Sequence, residues 1–310
     1  MKIGYFGTPE HSAKLLSKLI SNNFDISFVV TNIDKPQGRE RKLSMSAVKK
    51  IALENNLPVL QFENLKNEES ISKIISYQAD IYIVFAYGHI IPEKVFLHPT
   101  AKTINLHGSI LPEFRGASPV QSAILSNKKE TGITLQYITK ELDAGDIISI
   151  VRTEIEESDT FGTLLEKLTN VGIDEIIKLL KNFNGIPFPA YPQDHSLATF
   201  CKKIKTEDRV LDFSQTMENL HNKIRAFNPG NICFTSFRDR RLNVYKTEKT
   251  DLNTEENPGT IVLPDKKTLG VVSGDRKILV LKEIQFENKK VMQSIDFING
   301  MRPIQGEKLI

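Results

Sequence analysis

Apolar and polar positions follow two rhythms along the first half of the chain. Short apolar runs at Lys2–Gly7, Ile26–Thr31, Ile81–Ala86, Thr103–His107 and Gly132–Ile138 predict strands. Segments with helical spacing lie between and after them, near Pro9–Ser21, Ser46–Asn55, Glu68–Tyr77, Pro119–Ser126 and Thr160–Leu180. Strands alternating with helices predict an α/β domain built on a Rossmann-like, doubly wound parallel sheet. At the first strand-to-helix turn, Thr8 reads as N-cap and Pro9 as the first helical residue. Only Gly4 and Gly7 lie there, so the three-glycine dinucleotide fingerprint is missing and NAD is not expected.

Three prolines in Ile186–Pro192 read as a stiff linker that ends the long helix. Beyond it a helix is predicted over Thr216–Ala226, ending at Phe227-Asn228-Pro229. Short strands follow at Cys233–Phe237, Leu242–Lys246, Gly259–Leu263, Gly270–Ser273 and Lys277–Glu283. Their density predicts a small OB-like β-barrel. The expected boundaries are 1–189 for the first domain, 190–208 for the linker and 209–310 for the second domain.

The 310 residues are enough for two domains, and 40% hydrophobic content supports real cores. Two cysteines, Cys201 and Cys233, make no disulfide framework, and no partner histidine stands at zinc spacing. No apolar run approaches the roughly 20 residues that span a bilayer. Met1-Lys2 leads straight into a strand without a basic leader, so a cytoplasmic protein with no membrane contact is expected. The net charge of +3 divides unevenly. Residues 1–189 carry 21 basic and 22 acidic side chains, and residues 190–310 carry 20 and 16, which inclines the second half toward a polyanion.

The segment Asn105-Leu106-His107-Gly108-Ser109-Ile110-Leu111-Pro112 ends a predicted central strand. Period-2 alternation puts Asn105 and His107 on one face, about 7 Å apart, at the strand's carboxyl end. Ligands of open α/β sheets bind at that edge. About twenty residues beyond Glu113-Phe-Arg-Gly-Ala-Ser-Pro-Val-Gln121 stands Leu142-Asp143-Ala144-Gly145-Asp146.

This pairing of Asn-x-His-x-Ser-x-x-Pro with a later Leu-Asp-x-Gly-Asp resembles the folate-dependent formyltransferases. The resemblance runs through nearly the whole chain and is strongest from about 80 to 150. It implies a formyltransferase domain whose catalytic residues are Asn105, His107 and Asp143. By the same resemblance Ser109, Ile110, Leu111 and Pro112 contact folate, and Phe85, Ala86, Tyr87 and Gly88 line a pterin pocket. The implied formyl donor is 10-formyltetrahydrofolate, used as a co-substrate, with no metal. The residue types suit the chemistry: an amide and an imidazole stabilise the charge growing on the formyl oxygen, and a carboxylate takes the amine's proton. His11 reads as a surface residue, and His98, His195 and His221 show no ligand spacing.

Family members serve several acceptor amines. The loop Asp34-Lys-Pro-Gln-Gly-Arg-Glu-Arg-Lys-Leu43 looks like the insertion that members acting on methionyl-tRNA push against the acceptor stem. Lys35, Arg39, Arg41 and Lys42 are the expected tRNA contacts, joined by Lys49 and Lys50 on the next helix. Phe200–Phe213 and Ile224–Pro229 resemble the second domain of the same members, an OB-like fold expected to bind tRNA with help from Arg238, Arg240 and Arg241. The expected acceptor is initiator methionyl-tRNA, with no obligate protein partner. The rival readings are a sugar N-formyltransferase acting on a nucleotide-linked amino sugar, a glycinamide ribonucleotide enzyme and a non-catalytic RNA-binding protein.

Overall fold

The computed structural model describes residues 1–37 and 42–310, and these divide into two units. The first comprises Met1–Pro119, Glu130–Glu154 and Leu165–Cys201. The second comprises Val120–Lys129, Ile155–Leu164 and Lys202–Ile310.

The elements, in chain order, begin with β1 (Lys2–Gly7), α1 (Glu10–Ser21) and β2 (Asp25–Val30). A short hairpin, β3 (Lys35–Gln37) and β4 (Lys42–Ser44), precedes α2 (Ala47–Glu54), β5 (Val59–Leu60), α3 (Glu68–Ile75), β6 (Ile81–Phe85) and α4 (Glu93–Phe96). Then come β7 (Thr103–His107), β8 (Arg115–Gly116), α5 (Pro119–Leu125), β9 (Glu130–Tyr137), β10 (Ile147–Glu154), α6 (Phe161–Lys181) and β11 (Phe200–Cys201).

The main sheet of the first unit has the order β10-β9-β7-β6-β1-β2-β5. Alternation along each strand sorts its residues between two cores. Ile3, Tyr5, Ile81, Ile83, Ile104, Leu106, Ile133 and Leu135 face one core with Leu15 and Leu16 of α1, Val48 of α2 and Ile176 of α6. Phe6, Phe28, Tyr82 and Val84 face the other, with Ile71 and Ile74 of α3 and Val95 of α4. Phe6, Phe28 and Tyr82 pack edge-on or tilted around one spot, at ring separations of 5.4–6.0 Å. A Cβ on Gly4 would stand 2.4 Å from the Phe28 ring, which is why that position is glycine.

Three expectations change here. The five strands from β7 to β5 are mutually parallel, but β9 runs antiparallel to β7 and β10 antiparallel to β9, so the sheet is mixed. Strand β10 was not anticipated, because its burial is intermittent rather than alternating. Pro9, not Thr8, is the N-cap of α1, and the Thr8 hydroxyl donates instead to Tyr87 O at 3.3 Å. The proline-rich stretch, read as a stiff linker, is anchored at its end: Tyr191 and Ile147 exchange backbone hydrogen bonds of 2.8 and 3.0 Å, and β11 pairs in parallel with β8. Residues 190–201 therefore fold with the first unit.

The second unit contains α7 (Met217–Ala226), capped by the Thr216 hydroxyl accepting from Asn219 N. Its strands are β12 (Cys233–Phe237), β13 (Arg240–Glu248), β14 (Ile261–Val262), β15 (Gly270–Val272), β16 (Ile278–Phe286) and β17 (Met292–Gln293), followed by α8 (Ser294–Met301). The antiparallel sheet has the order β12-β13-β16-β15-β14, with β17 on β16. Residues 306–310 join its two edges. Ile310 exchanges bonds of 2.8 and 3.0 Å with Ser236 on β12, while Ile261 N donates to Glu307 O and Leu309 N to Gly259 O beside β14. That bridge closes the sheet into the small barrel expected from the spacing of its strands, around Phe237, Phe286 and Phe297.

Candidate active site

Because Ile104 and Leu106 face the core under α1 and α6, Asn105 and His107 must point to the opposite face of β7. The antiparallel neighbour adds two more side chains to that face. Gln136 stands opposite Asn105 in the ladder, and Thr134 stands opposite His107. Four polar groups thus share one patch at the carboxyl end of β7, three of them buried and Asn105 half-buried.

Asp143 meets this patch from the loop between β9 and β10. Its backbone is left-handed at φ 50°, and its side chain is 9% exposed. One carboxylate oxygen accepts from Asn105 Nδ2 at 3.4 Å and from Gln136 Nε2 at 3.1 Å. The other accepts from the Gly116 backbone N–H at 2.9 Å and lies 3.5 Å from His107 Nδ1. The amide, imidazole and carboxylate expected together are together.

His107 is 6% exposed in its side chain, and its Nε2 lies 2.9 Å from Phe114 O. A carbonyl can only accept, so Nε2 carries a proton and Nδ1 is the nitrogen that faces Asp143. The ring has one firm partner and one loose one. Phe114 holds its carbonyl in place from a left-handed backbone at φ 57°, and the Cys201 thiol donates to the same oxygen at 3.3 Å.

The loop after β7 is tied down from within. Ser109 is fully buried, its hydroxyl donates to Glu113 O at 2.6 Å, and its own carbonyl accepts from Thr134 Oγ1 at 2.6 Å. Leu111 N donates to the same threonine oxygen at 3.2 Å, and Leu111 is 3% exposed. The Ser109 and Leu111 side chains are therefore buried away from any ligand, whereas Ile110 and Pro112 are half-buried. At the end of the adjoining strand β6, Phe85 and Tyr87 turn inward while Ala86 and Gly88 are exposed at φ 53° and 83°. Burial pushes the Tyr87 phenol up to about 12, so it stays protonated. A cleft of about 330 Å³ opens beside this turn, lined by Phe62, Leu65, Tyr87, Gly88 and His89 among others. His11 is half-buried rather than free on the surface: its ring packs on Phe85 at 5.0 Å, and burial holds its pKa down to about 4.

Several residues that the pattern reading passed over complete the site. Gln136 was hidden because the β7–β9 register cannot be read from sequence. Gln193 and Arg115 are 6% and 4% exposed, and the guanidinium donates to Gln193 Oε1 at 3.1 and 2.6 Å. His195 Nδ1 lies 3.3 Å from both terminal guanidinium nitrogens. Gln193 and His195 follow prolines that spoke for a linker, and no pattern in the sequence marks the burial of Gln193. Among the described residues no cluster of His, Cys, Asp and Glu suits a metal ion.

Of the residues expected to touch RNA, Lys35 is exposed on β3, and Lys42 pairs with Gln37 in the hairpin ladder. Arg39 and Arg41 lie outside the described residues. Lys49 is engaged elsewhere, 2.6 Å from Asp34 and 2.8 Å from Gln61 Oε1, and its hydrogen bond holds the Asp34 carboxyl below the usual range. In the second unit Arg238 is paired with Glu307 at 2.9 Å, and Arg240 lies over the Phe286 ring at 4.3 Å. Arg241 and Arg209 lie over the Phe234 ring at 3.7 and 5.7 Å. No described helix is long and apolar enough to cross a membrane.

Comparison with known proteins identifies the family. Residues 1–180 match the family described as Formyl transferase, and residues 203–302 match Formyl transferase, C-terminal domain. The chain is 50% identical over 312 aligned positions to a methionyl-tRNA formyltransferase of Leptospira interrogans, covering 99% of each. It is 37% identical to that of Bacillus subtilis, covering 99% of this chain and 97% of the relative. Among solved structures, methionyl-tRNA formyltransferase from Clostridium thermocellum matches with a TM-score of 0.58 at 18% identity, covering 81% of this chain and 94% of that one. WlaRD, a sugar 3N-formyl transferase solved with dTdp and 5-N-Formyl-THF, matches with a TM-score of 0.66 at 21% identity, covering 94% and 99%. At those identities the solved structures speak for the fold, and the sequence relatives and family matches speak for descent. The chain therefore belongs to the formyl transferase family, and within it to the methionyl-tRNA formyltransferases.

Proposed function

We propose that the chain transfers the formyl group of 10-formyltetrahydrofolate to the α-amino group of initiator methionyl-tRNA, in the cytoplasm, with Asn105, His107 and Asp143 around the reacting carbonyl. The observation that carries this reading is the convergence of those three side chains at the carboxyl end of β7, within 3.5 Å of one another through Asp143.

The neutral amine attacks the formyl carbon, and negative charge develops on the formyl oxygen. Asn105 has a second amide N–H beyond the long 3.4 Å contact to Asp143, and that hydrogen is the donor for the oxygen. In its imidazolium form His107 adds a second donor, Nδ1–H, as the loose contact of that nitrogen to Asp143 gives way. Catalytic hydrogen bonds are often long before substrate binds and tighten in the complex. Asp143 takes the proton released by the attacking amine, directly or through one water. Collapse of the tetrahedral species breaks the bond from carbon to folate N10, which takes up a proton, leaving a formamide and tetrahydrofolate. An α-amino group titrates near about 8, so a working fraction is neutral without a dedicated base.

The exposed turn Ala86-Tyr87-Gly88 and the backbone of Ser109–Pro112 are the surfaces for folate. For the acceptor, Lys35, Arg39, Arg41 and Lys42 are the proposed phosphate contacts. In the second unit, from about residue 209 onward, Arg209 and Arg241 flank Phe234, a combination suited to an RNA backbone with a base against the ring.

The test is formyl transfer from 10-formyltetrahydrofolate to charged initiator tRNA, elongator tRNA and a nucleotide-linked amino sugar. Initiator tRNA is expected to be the preferred acceptor, with a steep loss of rate as salt is added. His107→Ala and Asp143→Asn should each lose several orders of turnover while still folded. Transfer to the amino sugar alone, or near-normal turnover in either variant, contradicts the reading.

A further inference from the structure

Gln193 is buried, and among the described residues its polar contacts are to residues that frame Asp143. Its Oε1 receives two hydrogen bonds from Arg115, at 3.1 and 2.6 Å. A guanidinium can only donate, so this fixes the orientation of the carboxamide and makes Nε2 the outgoing donor. Nε2 lies 2.9 Å from Asp143 O, 2.7 Å from Gly145 O and 3.1 Å from Gln136 Oε1. Two hydrogens serve three acceptors, so one bond is shared. The first two acceptors are carbonyls of the turn on which Asp143 sits in its left-handed conformation. The third belongs to the side chain whose own Nε2 donates to the Asp143 carboxylate at 3.1 Å.

Arg115 gives this arrangement a direction. It is 4% exposed, and among the described residues its polar side-chain partners are Gln193 and His195, with no carboxylate. Burying a guanidinium against neutral partners is costly, and a loop that merely needed its carbonyls satisfied has no use for the charge. A cation on Oε1 polarises the carboxamide and strengthens the N–H groups at its other end. Arg115 also precedes Gly116, whose N–H donates to the second carboxylate oxygen at 2.9 Å. One buried cation thus braces Asp143 by two routes, along the backbone to Gly116 and through Gln193 to the turn and to Gln136.

We propose that Gln193, held by Arg115, is a positioning residue for formyl transfer, aiming the Asp143 carboxylate without touching substrate. The inference rests on the reading of Asp143 as the proton acceptor. Residues 190–201 are then part of the catalytic apparatus, and their proline-rich lead-in serves to bring the Gln193 side chain back under the sheet edge.

A residue that acts only through Asp143 must lose its effect once the carboxylate is gone. The full chain is assayed for transfer from 10-formyltetrahydrofolate to methionyl-tRNA as wild type, Gln193→Ala, Gln193→Glu, Asp143→Asn and the Gln193→Ala/Asp143→Asn double variant. Gln193→Ala should lower kcat by about 10²-fold, the scale of a displaced reacting group, with KM for both substrates little changed. Gln193→Glu can still accept from Arg115 but has no N–H to donate at neutral pH, so it should be equally slow. The double variant should match Asp143→Asn in long incubations. Wild-type kcat in the alanine or glutamate variant, a loss carried by KM, or a double variant slower than Asp143→Asn by the full alanine factor overturns the proposal. Should Gln193→Ala fail to fold, the near-isosteric glutamate variant decides. An unaltered chain that transfers no formyl group to any acceptor overturns the functional reading itself, which is a different result from a fast variant of an active enzyme.

Discussion

Asn105 and Gln136 stand directly opposite each other on antiparallel strands, and their carboxamides donate to the same oxygen of Asp143, at 3.4 and 3.1 Å. The two amides look alike but are held differently. Gln136 is 1% exposed, and its own oxygen accepts from Gln193, so both ends are committed. Asn105 is half-buried, its bond to Asp143 is the longer, and no partner holds its oxygen among the described contacts. Gln136 is fixed at both ends and Asn105 at one, which leaves Asn105 able to serve the proposed role of donor to a substrate oxygen.

Substitution should separate those roles. On the proposed mechanism Asn105→Ala removes a donor to the developing oxyanion, an expected loss of about 2.7–4 kcal/mol, or 10²–10³ in kcat. Gln136→Leu removes one hydrogen bond to a charged group, about 1.5–3 kcal/mol, so a drop of roughly ten- to hundredfold is expected. The glutamine change should also lower the thermal midpoint, because it takes a donor from the Asp143 carboxylate at a position only 1% exposed. Steady-state kinetics and thermal unfolding of both variants check this. Equal kinetic losses with no difference in midpoint would contradict the division of labour.

How much of this was legible beforehand depends on which physical signal each residue leaves in the chain. Asn105 and His107 were placed on one face by the two-residue period of a strand, and that period is local. The acidic loop at Asp143 was found through its motif. Gln136 depends on the register of β9 against β7, which is fixed by the core contacts of Ile133 and Leu135 and leaves no trace in composition. Gln193 was obscured by three neighbouring prolines, whose local stiffness says nothing about what the next side chain packs against. The antiparallel turn of β9 and β10 was missed for the same reason: alternating strands and helices announce a sheet, not the direction of its edge.

Gly116 lies on β8 opposite Cys201 of β11, and its backbone disfavours any side chain. Its φ is +123°, and a Cβ there would stand 2.2 Å from Cys201 O. Gly116→Ala must open the β8–β11 pairing or rotate the N–H that supports Asp143. Strain of this kind costs on the order of 1–3 kcal/mol. A lowered thermal midpoint is expected together with at least a tenfold fall in kcat. By contrast Gly230, with φ +100° and open space around it, should show only the stability loss when changed to alanine. Wild-type turnover in Gly116→Ala would show that the N–H of this residue is not needed to hold the carboxylate.

The second unit should carry a proton-linked loss of stability at His221. The ring is half-buried, with Nδ1 2.8 Å from Thr247 Oγ1, and its pKa is held down to about 4, first by burial and then by the charges of Arg225 and Lys249. Glu218 and Glu157 pull the other way but do not prevail. Unfolded, the ring titrates near its ordinary value of about 6.5. Above that pH neither state binds the proton, and the contribution of the neutral ring is fully present. As pH falls from 6.5 toward 4 the unfolded chain gains a proton that the folded one refuses, so stability declines across that window. His221→Gln cannot titrate, and its stability measured by chemical denaturation should fall less steeply there, by about one proton. His11, lowered to about 4 by burial in the first unit, provides the parallel variant, so His11→Gln should flatten the curve independently. If the His221→Gln curve keeps the wild-type slope, the ring is accepting its proton in the folded state, and the packing around α7 is looser than these contacts imply.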